Sequence, residues 1–395
     1  MEMHDRIKQL ADSVLEKIIS IRHDLHSHPE IKQQETRTAS TIESFLDQAG
    51  IKHRRCAGTG VIGVIGRGSG HTVALRADID ALPIPDHTNL PWSSATPNTT
   101  HACGHDGHTA ILLGTAWVLK QMEAELTGTI LCLWQPAEEG GAGAEKMIRD
   151  GALENPAPEA IFAIHGWPSL SVGKAGYRFG PALASTDDFV ITVKGKGTHG
   201  AMPHAGIDPI VTAARIVEGI QLIRSRMINP LAPLVITVGS IHGGSAVNVI
   251  PDEVTLTGTI RTLDPETRRL IPPLMERMAV ETARASGAEA EFNLTAGYPP
   301  VINEERATAF ARDALRDILG ADRVVEIKDP VMGGEDFAYY LEKIPGSFLR
   351  IGVGDRPPLH NSSYDFNDEA IPFGIRIMAG IAVRFLEKGF LKDEG

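Results

Sequence analysis

The order of apolar runs over residues 186–297 constrains this chain more than any other feature. An alternating strand at 188–194 leads into a helical run at 209–226. Strands at 234–241 and 253–262 follow, then a helix at 265–286 and a strand at 288–294. That β-α-β-β-α-β order describes a complete split βαβ unit with its own core. The flanking sequence follows a different rule. Helices at 3–26 and 36–49 precede strands at 61–65 and 72–77 around a Gly-Ser-Gly turn. A helix at 107–125, a strand at 129–135, a helix at 143–150 and a strand at 160–164 come next. Strand–helix alternation predicts a mainly parallel sheet covered by helices. The pattern resumes after the interruption at 304–319, 348–353 and 370–388. We therefore expect an α/β fold with a discontinuous domain, residues 1–185 and 298–395, carrying an inserted α+β ferredoxin-like domain at 186–297.

A chain of 395 residues exceeds one ordinary core, which agrees with two domains. The net charge of -12, from 38 basic and 50 acidic residues, argues against a nucleic-acid or anionic-membrane partner. Three cysteines, Cys56, Cys103 and Cys132, cannot build a disulfide framework, and a cytoplasmic location is expected. The N-terminal stretch is charged and amphipathic rather than signal-like, and the apolar runs are too short to span a bilayer. Glycines 58, 60 and 63 match a dinucleotide-binding spacing, but a strand rather than a helix follows them, so they are read as a hairpin.

Chemistry concentrates at His101-Ala-Cys103-Gly-His105-Asp-Gly-His108, just ahead of an apolar helix. A lone Cys-x-His pair is more often core than ligand. Here His101 and His108 flank it, and further donors stand at the carboxyl ends of expected strands. These are Asp78, Asp80, Glu138, Glu139 and His165, with His360 in a turn-rich loop. Thiolate, imidazole and carboxylate together suit borderline divalent ions. In open parallel sheets such strand ends gather function. Adjacent carboxylates usually form a solvated turn, but Glu138 and Glu139 can divide labour, one binding metal and the other taking a proton from water. His199, in a Gly-rich loop of the insertion, is either a turn residue or an oxyanion donor. Asn248 and Arg261 border neighbouring strands, and Arg261 has the fork for a substrate carboxylate.

Several ordered motifs resemble the M20 family of metallopeptidases, in its amidohydrolase branch. They are Arg22-His-Asp-Leu-His-Ser-His-Pro-Glu30, Leu75-Arg-Ala-Asp-Ile-Asp-Ala-Leu-Pro83, the 101–108 cluster and Gln135-Pro-Ala-Glu-Glu139. Thr198-His-Gly-Ala-Met-Pro-His204, Val247-Asn-Val-Ile-Pro251, Met332-Gly-Gly-Glu-Asp-Phe337 and the His360 loop complete the set. The resemblance implies two divalent metals per subunit, from among Zn, Mn, Co and Ni. Cys103 would bridge them, with His105 and His165 on one and Glu139 and His360 on the other. Asp78 would support a ligand from behind. Glu138 would be the general base, Asn248 and Arg261 would hold the substrate carboxylate, and the insertion would serve as lid and dimerisation module. His199 would reach an active site, its own or the partner subunit's, within a homodimer or higher homo-oligomer. Gly334 stands where the family often carries serine.

These readings predict hydrolysis of the amide bond of small N-acyl-L-amino acids. A dipeptidase, a carboxypeptidase or a specialised N-acetyl deacetylase would use the same metals. A cysteine hydrolase built on Cys103 would not need them, and a metal-binding scaffold would not need the spare carboxylate.

Overall fold

The computed structural model describes residues 3–66, 68 and 70–390. Ser69 of the expected Gly-Ser-Gly turn lies outside the described residues. The chain divides into two compact units. One comprises Met1–Gly180, Ile302–Asp329 and Asp336–Gly395, and the other Pro181–Val301 and Pro330–Glu335.

The larger unit holds an eight-stranded sheet. Its strands are β1 (Lys52–Cys56), β2 (Gly60–Gly66), β3 (Thr72–Asp78), β4 (Thr129–Gln135), β5 (Ala160–Pro168), β6 (Ala175–Tyr177), β7 (Val324–Glu326) and β8 (Gly346–Gly354). Their spatial order is β1-β2-β4-β3-β5-β8-β6-β7. The centre, β4-β3-β5-β8, is parallel throughout. Every residue of β4 is buried, as expected of a strand covered on both faces. Helices His105–Gln121 and Ile371–Lys388 supply much of that cover with Ile111, Leu112, Ile375 and Met378. Gly50 closes the helix Thr36–Ala49 in a left-handed conformation, as its sequence position suggests.

Two local expectations change. The strands on either side of residues 67–70 do not pair with each other, because β4 lies between them. The hairpin at glycines 58 and 60 instead joins β2 to β1, whose Cys56 pairs with Gly60. Lys52-His-Arg-Arg gave no strand signal because β1 is a solvent-facing edge, where charge discourages further pairing.

In the smaller unit, four antiparallel strands lie in the order Leu234–Gly243, Glu253–Thr262, Asp187–Lys194, Glu289–Thr295. Helices Pro209–Leu222 and Pro265–Ala285 pack Ile216, Ile220, Ile271 and Met275 against Phe189, Ile191 and Leu256. Each helix begins with proline behind an aspartate cap, Asp208 and Asp264, whose carboxylates accept the first free N–H groups. Such a cap contributes about 1 kcal/mol.

Candidate metal centre

The carboxyl ends of β3, β4 and β5 lie side by side, because these strands are parallel and adjacent. Asp78 ends β3, the Glu138-Glu139 turn follows β4, and His165 lies near the end of β5. Gly104 adopts φ +84° immediately before the helix starting at His105. That left-handed turn, costly for any residue with a Cβ, sits between Cys103 and His105 and reverses the chain there. His360 comes from the loop after β8, with its own φ at +65°. Its N–H donates to the Ala102 carbonyl at 2.8 Å, which ties the loop to the cysteine turn.

The expected donors converge. Cys103, Glu139 and His360 can each offer one atom within 4.8 Å of the others, and so can His105, Glu138 and Glu139. Cys103 Sγ lies 3.5 Å from His165 Nε2. Cys103, His105, His165 and Glu138 are all buried, while His360 is half exposed at the rim.

Hydrogen bonding determines which atoms are free to bind. His165 Nδ1 faces the Gly166 carbonyl at 2.9 Å, and His105 Nδ1 faces the Asp80 carbonyl at 2.9 Å. A carbonyl only accepts, so both rings carry their proton on Nδ1 and turn a bare Nε2 inward. His105 Nε2 and Glu139 Oε1 are buried without a hydrogen-bond partner among the described residues. His360 Nε2 approaches Glu139 Oε1 at 3.2 Å without hydrogen-bond alignment. Orphaned donor atoms of this kind fit metal ligation.

Electrostatics point the same way. Burial alone would lower the His105 pKa, yet Asp78 and the Cys103 sulfur hold it well above the ordinary imidazole value. The neighbouring Cys103 sulfur and Glu139 carboxylate push His360 up to about 10. Burial raises the Cys103 thiol. Burial instead holds His165 well below the ordinary imidazole value, so its ring stays neutral, and divalent ions bound here would displace the protons of the raised groups.

His108 is not one of these free donors. Gly166 N–H donates to its Nε2 at 2.7 Å, so its proton is on Nδ1, 2.6 Å from Asp78 Oδ1. Asp78 also accepts from Arg76 at 2.7 Å and stays 3.7 Å from His105 Nε2. The carboxylate directly behind His105 is Asp80, whose two oxygens also accept the N–H groups of Glu138 and Glu139. Beneath the Glu138 carboxylate, Asp336 N–H points at Oε1 from 3.4 Å. Asp336 is itself held by Gln135 and Arg76.

Within the smaller unit, His199 pairs with Val249 in a two-strand ribbon, and Gly200 N–H donates to the carbonyl of Asn248, in the turn just before it. Ala201 N–H donates to His199 Nδ1 at 3.0 Å, which leaves an Nε2–H donor on an exposed ring. Arg261 stands on a central strand, near Gly334.

A model described as peptidase family M20/M25/M40 matches residues 74–384. The chain belongs to that family. It is 42% identical over 362 residues to an N-acetyl-L-cysteine deacetylase of Bacillus subtilis, covering 91% of this chain and 86% of the relative. It is 43% identical over 302 residues to an N-acyl-L-amino acid amidohydrolase of Geobacillus stearothermophilus, covering 76% and 81%. A solved Bacillus subtilis structure, described as a dinuclear metal-binding peptidase from the M20 family, superposes with a TM-score of 0.84. It is 39% identical, over 95% of this chain and 99% of that one.

Sequence reasoning left four residues of this M20 centre without a role: Arg76, Asp80, His108 and Asp336. Each lay inside a motif quoted for the resemblance, and Asp80 already stood at a strand end. Each is hydrogen-bonded to other residues of the cluster, a contact that residue type and spacing alone do not reveal.

Proposed function

We propose that this chain is a metal-dependent amidohydrolase that cleaves N-acyl-L-amino acids to a carboxylic acid and a free amino acid. The observation that carries this reading is the Glu138 carboxylate, buried beside the inward-facing nitrogens and fixed through its main chain by Asp80. Cys103, His105, His165, Glu139 and His360 would hold two divalent ions. Bound there, such ions would polarise the scissile carbonyl and lower the pKa of water. Glu138 takes the proton of the attacking water and delivers it to the leaving amine. The His199 Nε2–H is suited to a developing oxyanion, and Asn248 and Arg261 to the substrate carboxylate.

The strand order of the smaller unit supports a ferredoxin-like lid, and we assign it the dimer contact as well. The exposed Val235 and Ile241 on its edge strand favour that assignment. No helix among the described residues is long and apolar enough to cross a membrane. Three buried, unpaired thiols support a cytoplasmic location. The similarity to an N-acetyl-L-cysteine deacetylase favours a second reading in which the acyl group is acetyl. Hydrolysis of N-benzoylglycine, N-acetylmethionine, N-acetylcysteine and a dipeptide tests both, using metal-stripped protein before and after addition of Mn or Zn. Metal-restored cleavage of acylated amino acids is expected. Undiminished cleavage without metal would reject the mechanism, and cleavage of the dipeptide alone would reject the substrate class.

A further inference from the structure

Among the described residues of the larger unit, three arginines are almost completely buried: Arg22, Arg76 and Arg350. The first two follow the usual rule that a buried cation is paired. Arg22 contacts Asp106, Asp365 and Asp368, and Arg76 contacts Asp78 and Asp336. Arg350 is 7% exposed, yet its guanidinium has no ion pair or hydrogen bond among the described residues, and its Nη2 is fully buried. The charge that acts on it most is a second cation, Arg178, and burial with that neighbour pushes its pKa down to about 10. Arg178 itself donates to the carbonyls of Ile327 and Lys328. An arginine retained in such surroundings lacks its anion.

Its position suggests which anion. Arg350 on β8 is the register partner of His165 on β5, so the two side chains share one face of the sheet. Trp167 lies on the same face, two residues beyond His165. Its ring centroid is 6.1 Å from that of His165 and 3.8 Å from Arg350 Cζ. The indole is partly exposed and roofs the guanidinium. These two separations bound the distance from the ligand imidazole to the guanidinium, a span that a short acyl chain bridges. Arginine presents two parallel N–H groups to one carboxylate, and the indole shields that pair from water.

We propose that Arg350 and Trp167 form a carboxylate subsite for the acyl half of the substrate, so that the enzyme prefers amino acids acylated by a short dicarboxylic acid. This rests on the N-acyl hydrolysis reading above and narrows it. The subsite differs from Arg261 and Asn248, which we assign to the carboxylate of the amino acid.

The test compares N-succinyl- and N-glutarylmethionine with N-pentanoyl- and N-hexanoylmethionine, using metal-loaded wild type, Arg350→Met and Arg350→Lys. Arg350→Met should lower kcat/KM on the better dicarboxylic substrate by about 30-fold or more, the usual effect of removing one partner of a buried charge pair. The neutral substrates should change less than about threefold on the same scale. Arg350→Lys, which keeps the charge without the fork, should fall between. Equal losses on both series would overturn the subsite. A selective loss on N-acetylglutamate instead would overturn its assignment to the acyl half. Calorimetric titration of glutarate into wild type and Arg350→Met reads the subsite without turnover. Tighter binding to wild type supports it, and equal affinity overturns it. Failure of wild type to cleave any N-acyl amino acid would remove the hydrolase reading, while the glutarate comparison would still decide the subsite.

Discussion

Asp80 holds Glu138 by its main chain, with Oδ1 accepting the Glu138 N–H at 3.0 Å. Its other oxygen accepts the Glu139 N–H at 2.9 Å, and its own carbonyl orients His105. One buried aspartate thus sets the position of the proposed base and of two proposed ligands. Asp80→Asn replaces an acceptor oxygen with an NH₂ group facing a backbone donor. Metal affinity should fall about 10- to 100-fold, the usual consequence of losing a group behind a ligand. Competition with a chromogenic chelator measures this directly, and unchanged affinity would show that Asp80 is dispensable.

Glu138→Gln separates catalysis from ligation. The amide keeps the shape of the side chain but cannot take a proton, so kcat should drop about 10²- to 10⁴-fold. Two metals per subunit should still be counted by elemental analysis. Full activity with both metals bound would reject Glu138 as the base.

Gly334, in the smaller unit, explains a departure noted in the sequence. A Cβ there would stand 2.2 Å from Thr186 Cγ2. Gly334→Ser should therefore cost about 1–3 kcal/mol as an overpacking substitution. Thr186→Ser removes the offending methyl and keeps the hydroxyl that accepts the Tyr298 N–H. The double variant should regain most of the lost stability in a denaturant melt. Additive losses would show that the two residues do not compete for space.

His26 predicts a pH dependence of stability. Burial alone would lower its pKa, but Asp106 at 2.8 Å and Asp86 at 3.4 Å raise it from 6.5 to about 9, against an opposing effect of Arg22. His101 is the other titratable ring facing it, and burial lowers that one. The folded pKa exceeds the unfolded one, so the stabilisation is full below 6.5 and is lost as pH rises through about 9. Thermal melts from pH 6 to 10 should show wild type losing its advantage over His26→Gln across that window. A constant difference would reject the assignment.

The alternation of strands and helices, the interruption at 186–297 and the donor-bearing strand ends were legible because each depends on near neighbours. Hydrophobic period, proline and glycine breaks and ligand chemistry act over a few residues. Strand adjacency was less legible. Placing β4 between β2 and β3 requires pairing across more than one connection, and β1 carries too much charge to read as a strand.

The sequence by itself determined the family, the class of metal ligands and the presence of a spare carboxylate, because residue type and local spacing carry that chemistry. Tertiary structure alone decided which imidazole nitrogens are bare, since the carbonyl of Asp80 that orients His105 comes from another element. It also decided that His108 is occupied on both nitrogens, by Asp78 and Gly166. The same holds for Arg350, whose lack of a partner exists only once residues far apart in the chain are packed around it. Protonation and pairing depend on what lies within a few ångströms in space, and separation along the chain does not encode that distance.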